Sequence, residues 1–215
     1  MPAALSALIV YCHPVEDSFA AALRDRVAGA FRRAGANCTV LDLYAEGFDP
    51  VLGRDERLAH LDHDLRPADL AAHFAALERA DLLVFVYPTW WYGPPAMLKG
   101  WIDRTMRAGV AFRLPPGADV IEPMLTRVRR IVVVTTYGSP WWLIRYVGDA
   151  GRRIIARGLQ LICPNAGRPV WLALYGMDTA SALQRSRFLE RVEDRVTAAV
   201  RQARRSGRRH RTSRQ

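Results

Sequence analysis

The chain has 215 residues, half of them hydrophobic and 24% charged, an ordinary globular composition that fits one folded domain at roughly 100–200 residues per domain. The 15 glycines and 13 prolines follow no period, which excludes a collagen-like fibre, and no apolar run approaches the roughly 20 residues of a membrane-spanning helix. The formal charge of +10 is misleading: from Arg201 onward there are seven arginines and no carboxylate, leaving 24 basic against 21 acidic residues in the rest of the chain.

Residues 1–200 are therefore expected to form the domain and residues 201–215 a basic, disordered tail. The tail has no aromatic residue for base stacking, so no specific nucleic-acid partner is expected, only weak attachment to an anionic surface. Three cysteines, Cys12, Cys38 and Cys163, without CxxC spacing indicate neither a disulfide framework nor a zinc site. His60, His63 and His73 lie in a pattern that justifies no metal geometry. The N-terminus has no basic residue before its first short apolar run and so does not read as a secretory leader; a cytoplasmic location is expected.

Along the chain, strand and helix patterns alternate. Ala7–Cys12 is a continuous apolar run of the kind buried on both faces of a parallel sheet. Glu16–Ala34 reads as a helix capped by Asp17 or Ser18 and stopped at Gly35. Cys38–Leu43 is a second strand, followed by a polar segment over 46–67 and a short helix over Pro67–Arg79. Asp81–Tyr87 is a third strand that Pro88 is expected to end. Pro94–Met106 is a helix with prolines in its first turn, Pro115–Pro123 a loop, and Ile131–Thr136 a fourth strand. Trp142–Arg157 reads as helix and Leu159–Cys163 as a fifth strand, extended by Val170–Leu174. A closing helix runs from Thr179 to about Arg204.

Five such alternations imply a parallel sheet with helices on both faces, and in such sheets ligands sit beyond the carboxyl ends of the strands where the strand order reverses. Three loops occupy that position. The first, Tyr11–Phe19, leads into a helix N-terminus that favours an anion, with His13 and Ser18 as side-chain donors, although Ser18 equally reads as an ordinary cap. It contains neither the G-x-G-x-x-G turn nor a Walker loop. The second, Pro88-Thr89-Trp90-Trp91-Tyr92-Gly93, places three large rings in a loop; rings of this size bury area or stack on flat partners. The alternative is that they pack on the domain or on a second subunit. The third, Thr135-Thr136-Tyr137-Gly138-Ser139-Pro140-Trp141-Trp142, repeats the hydroxyl and ring composition. Two such loops at neighbouring strand ends make a flat slot that suits an isoalloxazine ring.

The segment Tyr87–Arg104, with its Pro-Thr-Trp-Trp-Tyr-Gly-Pro-Pro-Ala-Met-Leu-Lys-Gly-Trp-Ile-Asp-Arg run, resembles the signature of the flavodoxin-like NAD(P)H quinone reductases, and His13…Ser18-Phe19 and Thr135–Gly138 stand where that family's other flavin loops stand. The resemblance covers residues 5–200. It implies a flavodoxin-like three-layer α/β sandwich, with a five-stranded parallel sheet of order 2-1-3-4-5. It also implies a homodimer, bound FAD or FMN, and two-electron reduction of a quinone by NAD(P)H. Carried over residue by residue, His13, Ser18 and Phe19 would hold the phosphate-bearing arm of the flavin. Pro88, Thr89, Trp90, Trp91, Tyr92 and Gly93 would lie along the ring, and Thr135, Thr136, Tyr137 and Gly138 would close its other edge. Lys99, Gly100 and Trp101 would be structural. Family members with a catalytic Tyr and His after the fourth strand have no exact counterpart here, because no His appears in that stretch. Tyr137 and Tyr146 are the candidates for that role. Alternatives within the resemblance are an azo- or nitroreductase and a flavin-binding ancillary subunit of a membrane transporter.

Overall fold

Ser6–Tyr11 (β1) is buried from Ala7 onward, as a strand covered on both faces must be. In the computed structural model, which describes residues 4–212, it is joined by Asn37–Asp42 (β2) and Leu82–Thr89 (β3). After these come Phe112–Arg113 (β4), Glu122–Pro123 (β5), Arg130–Tyr137 (β6) and Val170–Tyr175 (β7). The main sheet has five parallel strands in the order β2-β1-β3-β6-β7, the 2-1-3-4-5 arrangement in sequence order. The strand order reverses between β1 and β3. The β4–β5 ladder is a separate antiparallel pair, and β5 falls at the end of the segment expected to be loop.

Two helices cover one face: Phe19–Arg33 (α1) and the long closing helix Ala182–Thr212, with Leu23, Val27, Phe31, Val192, Val196 and Val200 buried against Ile9, Val84 and Val134. The remaining helices are Arg54–Leu58 (α2), Ala71–Arg79 (α3), Ala96–Thr105 (α4), Trp141–Val147 (α5), Ala150–Arg153 (α6) and Leu159–Ile162 (α7); α3 and α4 cover the other face, burying Phe74, Leu77, Leu98 and Trp101 over Phe85 and Val133. In that numbering the closing helix is α8.

Four expectations are corrected. Leu159–Cys163 is helical: Leu159 and Ile162, three apart, are buried while Leu161 is 71% exposed, a helical period rather than an alternating one. The fifth strand is β7 alone. The helix expected over Trp142–Arg157 is broken at Gly148 and Asp149, both with positive φ, and continues as α6 and a π turn over Ile154–Gly158. Pro88 does not end β3. Its pairing with β1 stops at Val86, so no neighbour on that edge asks Pro88 for an N–H, and β3 runs on to Thr89 beside β6.

The segment after residue 200 is not a tail through Ser206. It continues α8, with Ala203 buried and the Arg204 guanidinium donating to the Ala34 and Gly35 carbonyls at 2.6 and 3.1 Å, at the carboxyl end of α1 where a cation is favoured. Residues 213–215 of that expected tail lie outside the described residues. Among the described residues, no helix is long and apolar enough to cross a membrane.

Candidate active site

The register of β3 against β6 places Tyr87 opposite Thr135, Pro88 opposite Thr136 and Thr89 opposite Tyr137. The two loops therefore leave the sheet side by side, and the Thr89 and Thr135 hydroxyls meet at 3.0 Å between them. Beyond them opens a cleft of about 430 Å³, lined by Thr89, Trp91, Tyr92, Tyr137, Gly138 and Ile144 among others. It lies at the carboxyl end of the sheet and brings the second and third loops together, as the sequence predicts. Pro88 and Thr136 are buried beneath it.

Trp90 and Gly93 exchange backbone N–H···O bonds of 3.0 Å each, closing a two-residue turn with Trp91 at φ 47° and Tyr92 at φ 63°. Positive φ at both central residues defines a primed turn, where Asn and Gly are the usual occupants. A side chain held there costs about 1–2 kcal/mol per residue, so two aromatic residues store local strain. No described residue accepts the N–H of Trp91 or Tyr92. The Trp90 N–H, in contrast, is committed to Gly93, which leaves only the two central amides of the turn free to donate. The Trp91 ring is 94% exposed and does not fill the cleft.

Tyr137 forms the other wall but is not free chemistry. Its ring is buried, stacks on Tyr175 with centroids 4.8 Å apart, and its hydroxyl donates to the buried Asp149 carboxylate at 2.9 Å. Burial first, then the Asp149 charge, push the phenol far above its ordinary value, so it stays protonated and its proton is held by Asp149. Tyr146 is exposed and does not line the cleft, so the two tyrosines singled out as catalytic are not brought together.

The first loop is only partly aimed at the cleft. His13 accepts the Val15 N–H on Nδ1 at 3.0 Å, and its ring lies 6.0 Å from that of Trp90. Ser18 caps α1, accepting the Ala21 N–H at 3.1 Å, and its hydroxyl sits 3.5 Å from that of Tyr11. Phe19 is half-buried and packs against the core, its ring 6.4 Å from that of Phe188.

Asp149 is the residue that sequence reading missed. Its signal was the Gly148-Asp149 pair inside a helical pattern, a place where a left-handed break is easy for Gly and tolerable for Asp. Ile144 and Asp178, which line the cleft itself, carry no comparable sequence signal.

Comparison with known proteins agrees with this architecture. The Flavodoxin_2 family, described as a flavodoxin-like fold, matches residues 6–153. Among curated relatives, an uncharacterized NAD(P)H oxidoreductase of Haemophilus influenzae is 35% identical over 114 residues, covering 53% of this chain and 56% of that one. The NAD(P)H dehydrogenase [quinone] 1 of Rattus norvegicus is 34% identical over 150 residues, covering 62% of this chain and 54% of that one. The chain thus matches little more than half the length of these relatives. Among solved structures, Smu.1420 from Streptococcus mutans is 28% identical with a TM-score of 0.78, covering 90% of this chain and all of that one. With the sheet order, the cleft and the family match over residues 6–153 in agreement, the chain belongs to the Flavodoxin_2 family of flavodoxin-like proteins.

Proposed function

We propose that the cleft between Trp90–Gly93 and Thr135–Gly138 holds a flavin, and that the chain is an NAD(P)H oxidoreductase delivering two electrons to a quinone or a similar flat acceptor. The observation that carries this reading is the convergence of the two loops on one cleft, with a strained aromatic turn presenting unpaired N–H groups on its rim. The residues fit such a group. The Trp91 and Tyr92 amides suit the electron-rich edge of the heterocycle, the Thr89 hydroxyl offers a further polar contact, and Tyr92 gives a flat wall. His13 and the amino end of α1 are the candidates for the phosphate arm.

A bound flavin supplies the redox chemistry, accepting a hydride from NAD(P)H and passing two electrons to the acceptor. The chain's part is to bind, orient and exclude water. No titrating tyrosine is needed in this scheme, since the Tyr137 proton is committed to Asp149. Trp90, Trp91, Trp141, Trp142 and Tyr146 are exposed around the same end of the molecule. Such a concentration of rings favours a second copy of the chain covering them in a homodimer.

The test is quinone-dependent NAD(P)H oxidation by the purified protein, with azo and nitro compounds as parallel acceptors. Turnover should vanish when the chromophore is stripped and return on adding back FMN or FAD. A flavin-loaded protein that oxidises NAD(P)H with none of these acceptors would refute the assignment.

A further inference from the structure

Past the carboxyl end of α5 lies a second recess, of about 530 Å³, that the cleft does not include. Arg145, Arg152, Arg153, Arg157 and Arg168 line it, together with Trp171. Its single lining carboxylate, Asp149, accepts the Tyr137 hydroxyl on one oxygen and leaves the five arginines in large excess of charge. Arg145 lies over the Trp141 ring and Arg152 over the Trp171 ring, at 5.8 and 5.7 Å, and none of the five guanidiniums pairs with a carboxylate among the described residues. Several arginines elsewhere do pair with carboxylates: Arg24 with Asp42, Arg26 and Arg33 with Glu193, Arg104 with Glu56 and Asp69, Arg129 with Asp81. What sets this group apart is that five of the unpaired side chains line one cavity. The hollow also continues along β7, where Arg191 and Arg195 join Arg152 and Trp171 in lining a further recess.

Five guanidiniums around one cavity repel each other, and that repulsion is relieved by a bound anion. The planar guanidinium fork takes phosphoryl oxygens two at a time, and several forks facing one space suit more than one phosphoryl group. The volume is that of a small-ligand site, within the roughly 300–1,000 Å³ usual for one. We propose that this recess binds the diphosphate group of a small phosphorylated ligand, at a site separate from the cleft. The same chemistry is presented by free pyrophosphate and by a nucleoside diphosphate. The inference stands whether or not the cleft holds a flavin.

Calorimetric titration and thermal unfolding of the full chain test it, with pyrophosphate, ADP, adenosine and sodium chloride at matched ionic strength. Pyrophosphate and ADP should each bind with one-to-one stoichiometry and raise the unfolding temperature, while adenosine and chloride should not. Tighter binding of ADP assigns the site to a nucleotide; equal binding assigns it to the diphosphate group alone. Arg152→Gln and Arg157→Gln should each weaken binding about tenfold or more, the usual effect of losing a charge-assisted bond. Trp91→Ala, in the cleft, should leave the affinity for diphosphate unchanged. Arg153→Gln, an exposed side chain on the same turn, replaces either variant that fails to fold. A matched response to chloride, equal binding of adenosine, arginine variants of undiminished affinity, or loss of binding in Trp91→Ala would each overturn the proposal.

Discussion

Asp149 joins two jobs at one residue: a left-handed break in the helix and a buried acceptor for Tyr137. Replacing it by Ala strands the buried phenol and puts a Cβ-bearing residue without local hydrogen bonding at positive φ. Together these should cost about 2–4 kcal/mol. Asp149→Asn keeps an acceptor and tolerates the left-handed conformation, so its loss should stay below about 1 kcal/mol. Denaturant unfolding of the two variants measures the difference; equal losses would mean the hydrogen bond and the backbone conformation contribute nothing separable. The same residue explains why the tyrosine reading of the sequence was incomplete. A Tyr in the right loop can be recognised from its neighbours, but the carboxylate that ties up its hydroxyl lies 12 residues further on and is found only through the fold.

At the scale of elements, α4 shows how a close approach fixes a site. A Cβ on Gly100 would run into the carbonyl, Cα and Cβ of Pro50, so α4 lies directly on the segment after β2. Its N-terminal end follows the Trp90–Gly93 turn, and α4 is thereby part of what holds the cleft rim. Gly100→Ala gains about 1 kcal/mol of helix propensity but overpacks a well-filled contact, at about 1–3 kcal/mol, and should lower the unfolding temperature rather than raise it. An unchanged or raised midpoint would show that the Pro50 segment yields freely. The apolar runs of β1, β3 and β6 were legible because each is rich in β-branched residues and bounded by helix and turn signals. Leu159–Cys163 was not, since a short apolar run fits a buried helix turn as well, and only the exposure of Leu161 separates the two. The course of α8 past Val200 was half legible: the stripe through Phe188, Val192 and Val196 marks its buried face, but the docking of Arg204 on the end of α1 is a long-range contact with no local pattern.

For the whole molecule, the parallel sheet decides where function lies. Its strand reversal, its loop ends and its strained aromatic turn all fall at one edge, and the exposed indoles gather there as well. The fold and the three loops are legible in the sequence, because alternating elements and the carboxyl-end rule fix both. What the sequence left open was which groups in those loops are free to act: Ser18 and Tyr137 are engaged by the chain itself, whereas the Trp91 and Tyr92 amides are not. The most direct measurement is the visible absorption spectrum of the purified protein, followed by mass analysis of the chromophore released on denaturation. The spectrum of an oxidised flavin and a released mass equal to FMN or FAD are predicted. A colourless protein that shows no spectral change when titrated with either flavin would contradict the account.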